Sequence, residues 1–166
     1  MSKNGYYGSV STVGYTMLPA IESVPLQFDG PFAAELFLVA RILFGGTLAF
    51  TGLNHFLDLE NMAGYAEMKG IPAPKASVAL SGLALVFGGL GVVLGVFPGL
   101  AAAALGVFLL VATPTMHDFW AVPEEQRQSE LTSFLKNVGL LGASIALFAV
   151  AALEWPYALG FGLGPF

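Results

Sequence analysis

Cysteine is absent from this 166-residue chain, which excludes thiol redox relays, cysteine-ligated iron–sulfur centres and disulfide staples. Charge is scarce as well. Asp, Glu, Lys and Arg make up 10% of the residues, against the ~25% of an average soluble domain, so too little polar surface is left to solvate a globule. Six residues are basic and the formal net charge is -5, which argues against nucleic acid as a partner and provides no polybasic patch for anionic lipid. No zinc-ligand spacing, phosphate loop or nucleophile elbow is present, and no metal site is expected. Gly88-Gly89-Leu90-Gly91 lies inside an apolar run with no strand before it, so it is not a dinucleotide loop. The length allows one small bundle and no separate catalytic domain of ordinary size. Any chemistry must sit in that bundle or belong to a partner.

What the chain does have is bilayer material. Apolar residues make up 56% of it, concentrated in four runs at about 36–57, 76–97, 100–116 and 131–153, each near the ~20 residues that cross a hydrocarbon core. The expected fold is all-α: a transmembrane antiparallel four-helix bundle over residues 33–153, with a short interfacial helix after the first span. Residues 1–32 read as a retained extramembrane arm, because their charged start is not followed by an adjacent apolar segment as in a signal peptide. Tyr6 and Tyr7, with Pro19, Pro25 and Pro31, suggest an irregular stretch at headgroup level. Residues 154–166 form an interfacial aromatic tail. The protein is expected in the cell membrane as a multi-pass protein in contact with the lipid bilayer.

Each span has a readable face. Arg41, Gly45, Leu48, Gly52 and His55 share one stripe of the first helix, which should face protein. Ser81, Ala84, Gly88, Gly91 and Gly95 do the same on the second, with the small side chains that permit close backbone approach. Pro114 removes an N–H from the third span and should kink it. Between the first two spans, Leu59, Met62, Ala63 and Ala66 lie opposite Glu60 and Glu67, the pattern of an interfacial helix. Pro123-Glu124-Glu125 suits the first turn of a helix that starts in water and enters the membrane near Leu131. Trp120 and Trp155 fall at opposite ends, where belt residues belong.

Four alternating crossings bring the end of the first span, the end of the third and the start of the fourth to one face. Those ends carry Asn54 and His55, His117 and Asp118, and Lys136 and Asn137, which makes these six the ligand-binding candidates. Neutral imidazole supplies one donor and one acceptor, so both histidines equally suit loop caps. Asn137 is most simply an interhelical hydrogen bond. A haem held between the two histidines is the lesser expectation, since such ligation is rare among histidine pairs. Arg41 is the one charge well inside a span, with Glu154 available as partner at the same face, and a structural ion pair is its simplest role. Loops on the histidine side carry Lys69, Lys75, Arg127 and Lys136 against Lys3 on the other, which puts the cluster in the cytoplasm.

Read together, Ala40-Arg41, Gly52-Leu53-Asn54-His55, Gly64-Tyr65, Gly70-Ile71-Pro72-Ala73-Pro74, Gly88-Gly89, Gly95, His117-Asp118-Phe119-Trp120 and Phe134-Leu135-Lys136-Asn137 resemble the DoxX family of small four-helix membrane proteins, over roughly 36–150. The resemblance implies an integral membrane protein linked to respiratory or redox complexes, some relatives being subunits of thiosulfate:quinone oxidoreductase. The chain departs from the family with His55 where relatives often carry lysine and Leu85 where they often carry glutamate. No catalytic residue is transferred. The expectation is an accessory redox-complex subunit rather than a self-sufficient enzyme, with quinone as the ligand, no intrinsic cofactor, and a complex subunit or a second copy as partner. Two alternatives stand beside it: a non-catalytic scaffold or assembly protein, and a small-solute carrier, the latter disfavoured because no broken-helix pair or internal duplication is seen.

Overall fold

Five helices make up the regular structure of residues 30–160, which the computed structural model describes: α1 (Ala33–Leu57), α2 (Leu59–Met68), α3 (Pro74–Leu94), α4 (Pro98–Met116) and α5 (Glu124–Ala149). No strand occurs among the described residues. All but α2 are long and apolar enough to cross a membrane. The expectations for the arm before Gly30 and for the tail beyond Gly160 fall outside the described residues.

Local chemistry sets the helix ends. Pro74 and Pro98 open α3 and α4 at the position where a missing N–H is harmless. Gly95, at φ 65°, stops α3 at Leu94 rather than near Phe97, because a left-handed residue cannot continue a right-handed helix. α5 begins at Glu124 behind Pro123, as the acid pair implies, and ends at Ala149, four residues short of the expected limit. Pro114 sits inside α4, which runs on to Met116. The hydroxyls of the flanking Thr113 and Thr115 bond back to the carbonyls of Leu109 (2.5 Å) and Val111 (2.8 Å), one residue to either side of the Leu110 carbonyl that the missing proline N–H leaves free.

Packing runs from α1 to α3, α3 to α4 and α4 to α5, with α2 laid chiefly against α3. The α1–α3 contact is a glycine seam. A Cβ at Gly45 would stand 2.5 Å from the carbonyl oxygen of Gly89, and one at Gly52 would stand 2.7 Å from that of Gly82. With no hydrophobic drive between helices in lipid, such backbone approach is a main source of association. The stripe from Ser81 to Gly95 meets other neighbours: Gly88 and Gly91 face Leu105 and Ala101 of α4, and Gly95 abuts Ala158. Gly82 and Gly89, one residue along from that stripe, make the tighter seam. Between these contacts lies a core of Leu48, Leu85, Val92, Leu105 and Leu147, closed at one end by Trp155. Leu85 is fully buried there.

Candidate functional site

The polar residues fall into three separate arrangements. The first surrounds Arg41, which is fully buried. Its Nε donates to the carbonyl of Val92 (2.9 Å), and its terminal nitrogens donate to those of Val93 (2.6 Å) and Pro156 (2.6 Å). Phe37 and Trp155 cover it, their ring centroids 5.7 and 5.1 Å from Cζ. Glu154, the expected partner, is exposed. The carbonyls win because Val92 and Val93 lie in the last turn of α3, where carbonyls lack helical partners and the helix dipole is negative. A planar guanidinium with five donors answers several of them at once. Trp155 is therefore 7% exposed and donates to the Val150 carbonyl at 2.9 Å, rather than standing in an interfacial belt.

The second arrangement holds His55. Its Nδ1 lies 2.9 Å from Ser81 Oγ and 3.3 Å from the Val78 carbonyl, and its ring meets Phe108 edge-on at 6.3 Å. Phe108 and Ser81 each lie about two turns inside the ends of α4 and α3, so His55 sits roughly 10 Å deeper than His117. The two imidazoles share a face of the bundle but not a level. Asn54, half-buried beside it, makes no side-chain hydrogen bond among the described residues.

The third arrangement gathers the end of α4, the first turns of α5 and the end of α2. His117 Nδ1 pairs with Glu130 Oε2 at 2.9 Å, and these side chains are 30% and 21% exposed. Asp118 pairs with Lys69, and the Tyr65 hydroxyl donates to the Met116 carbonyl at 3.2 Å. The bond from Lys69 holds the Asp118 carboxyl below the usual carboxylate range, and the same bond lifts the Lys69 ammonium above its ordinary value. One turn beyond Glu130, Phe134 packs edge-on against Phe119 (5.3 Å) and Trp120 (5.9 Å), themselves 5.0 Å apart. The result is an imidazole–carboxylate pair beside a wall of three aromatic rings, where α5 passes from polar to apolar sequence.

Lys136 and Asn137 do not join it through bonds. Lys136 is exposed without an ion pair among the described residues, and Asn137 is half-buried without a side-chain hydrogen bond there. The interhelical hydrogen bond of α5 comes instead from Ser144, whose hydroxyl donates to the Ala102 carbonyl at 2.7 Å. Sequence reasoning passed over Glu130 and Lys69 as partners. The available signal was their position, since Glu130 is the last acid before the apolar run of α5 and Lys69 the last residue before the Gly70 turn.

The DoxX family model matches residues 36–118, half of the chain, from the first turn of α1 through the His117-Asp118 pair. Arg41, His55, Lys69 and Asp118 lie inside the match, whereas Glu130, Phe134, Lys136 and Asn137 lie beyond it on α5. No curated protein and no solved structure matches the chain. With half of its length matched and four apolar helices, this membrane protein belongs to the DoxX family.

Proposed function

We propose that the protein is a quinone-associated subunit of a respiratory or redox complex in the cell membrane. The ligand's ring is held at the His117–Glu130 edge between α4 and α5, and the electron carrier belongs to a partner subunit. One observation carries this reading: the 2.9 Å imidazole–carboxylate pair lies next to the edge-packed rings of Phe119, Trp120 and Phe134 at the border of the apolar segment. A head group of this class needs apolar cover for a flat ring, a polar group for its oxygen and lipid for its tail.

Binding of a short-chain analogue in its quinone and hydroquinone forms, measured beside thermal unfolding, tests the reading on whichever form binds the tighter. His117→Ala and Phe134→Ala should each weaken binding by ~1 to 3 kcal/mol, the range for a lost buried hydrogen bond or aromatic contact. The fold should survive both. A second reading, a non-catalytic scaffold, is favoured by the Lys69–Asp118 and His55–Ser81 contacts, each of which ties two elements together. It requires the reverse pattern, with melting temperature falling in the His117 variant and no ligand affinity to lose.

We infer that the same face lies in the cytoplasm, a reading supported by its lysines and arginine, Lys69, Lys75, Arg127 and Lys136. The start of α1 and the end of α5 then lie at the outer face. A reporter fused after Phe166 should be inactive if it works only in the cytoplasm, and activity would reverse the orientation.

A further inference from the structure

Hydrogen bonding determines which nitrogen of each imidazole carries the proton. At His117, Nδ1 lies 2.9 Å from Glu130 Oε2; an ionised carboxylate only accepts, so Nδ1 is the donor. At His55, Nδ1 lies 2.9 Å from Ser81 Oγ and 3.3 Å from the Val78 carbonyl. The Ser81 hydroxyl already donates to that carbonyl at 2.8 Å, and a carbonyl only accepts, so the proton is again on Nδ1. A neutral ring protonated at Nδ1 presents Nε2 as a lone pair. Neither Nε2 has a hydrogen-bond partner among the described residues.

We infer that the His117 site takes a ligand whose head group donates a hydroxyl: on the ring-site reading above, on which this rests, a hydroquinone in preference to the corresponding quinone. The hydroquinone O–H donates to Nε2, while a quinone carbonyl brings a second acceptor to a lone pair and makes no bond. Glu130 is the positioning residue, since its carboxylate keeps the proton on Nδ1. The rings of Phe119, Trp120 and Phe134 accept either form. The hydrogen bond therefore carries the discrimination.

Three probes with the same apolar tail separate the outcomes: a hydroquinone, its quinone and a long-chain alcohol, bound anaerobically to the detergent-solubilised protein in mildly alkaline buffer. The hydroquinone should bind about two- to tenfold tighter than the quinone, the difference one net hydrogen bond makes. In Glu130→Gln the amide can donate as well as accept, which frees the tautomer, so that ratio should fall towards one. Loss of a merely structural contact would instead weaken both probes together and leave the ratio unchanged, which would remove Glu130 from the role. Equal or tighter quinone binding by the unaltered protein overturns the inference and leaves the ring site standing. If no probe binds, the ring site and the inference fall together. An alcohol bound as tightly as the hydroquinone keeps the hydroxyl-donor inference and removes the quinone reading. The ratio in the unaltered protein decides the matter even if Glu130→Gln fails to fold.

Discussion

Arg41 shows how a single side chain can organise one end of the bundle. Its three carbonyl partners belong to α3 and to the segment after α5, so one guanidinium joins three parts of the chain. Arg41→Met should cost about 2 to 4 kcal/mol, because the replacement packs but leaves the carbonyls of Val92 and Val93 buried without donors. Arg41→Lys should recover only part of that, since one ammonium cannot span the same three acceptors. Thermal unfolding in detergent checks both, and an unchanged melting temperature for Arg41→Met would mean that water replaces the clamp. Ala73 offers the opposite case. It sits at φ 47°, left-handed, on the exposed turn before Pro74, where a Cβ is strained by about 1 kcal/mol. Ala73→Gly should therefore raise stability by no more than ~0.5 kcal/mol, because the looser unfolded chain offsets part of the relieved strain. A drop in melting temperature would show that the strain is absent.

Among the helices, the tightest contact is the glycine seam of α1 on α3. Gly45→Ala should cost about 1 to 3 kcal/mol, because the Cβ would meet the backbone oxygen of Gly89 at 2.5 Å and a main chain cannot step aside. Gly139→Ala on α5 is the control. Nothing lies within 4 Å of a Cβ there, and alanine is the better helix former by up to ~1 kcal/mol, so this variant should be neutral or stabilising. Equal melting temperatures for the two variants would contradict the seam. The tie between α2 and α4 makes a pH prediction. Asp118 has a lowered pKa when folded, so its contribution is present above the ordinary carboxylate range and is lost as pH falls through the lowered value. Lys69 has a raised one, so its contribution is present below the ordinary ammonium value and is lost as pH rises through the raised value. The tie should hold across the whole interval between. Comparing the unfolding of the native protein with that of Asp118→Asn should give a constant difference near neutrality that shrinks at acid and strongly alkaline pH. A difference that changes between about pH 6 and 8 would point to a histidine instead.

For the whole molecule, the uneven packing of the spans sets which parts open first. α1 and α3 meet backbone to backbone, while α5 buries only Ser144 and Leu147 among its 26 residues. Hydrogen exchange in detergent should accordingly protect the centres of α1 and α3 most and α5 least among the four spans, because local opening tracks lost contacts. Ser144→Ala should lower the protection of α5 further, with a stability loss of about 0.6 kcal/mol, the usual worth of an interhelical hydrogen bond in lipid. Uniform exchange across the spans would mean that the bundle opens as one unit.

Much of this architecture was already written in the chain. The four spans, the amphipathic α2 with Ala63 and Ala66 inward and Glu60 and Glu67 outward, and the protein-facing stripe of Arg41, Gly45, Leu48 and Gly52 follow from periodicity and length, both local properties of sequence. That the end of α1, the end of α4 and the start of α5 share a face also follows, because four alternating crossings allow no other arrangement. Depth and pairing do not. Topology put His55 and His117 at one level, whereas the packing of α1 on α3 leaves His55 beside Ser81 and Phe108. Opposite charge suggested Glu154 for Arg41, but the partners are backbone carbonyls, which every residue possesses and no sequence pattern marks. Glu130 reaches His117 and Lys69 reaches Asp118 only because α5 and α2 dock where they do. The sequence determined which segments are helices and which face of each is turned inward; which side chains meet, and which imidazole nitrogen is left to bind, depended on rotations and translations between helices that small residues permit and only the packed tertiary structure selects.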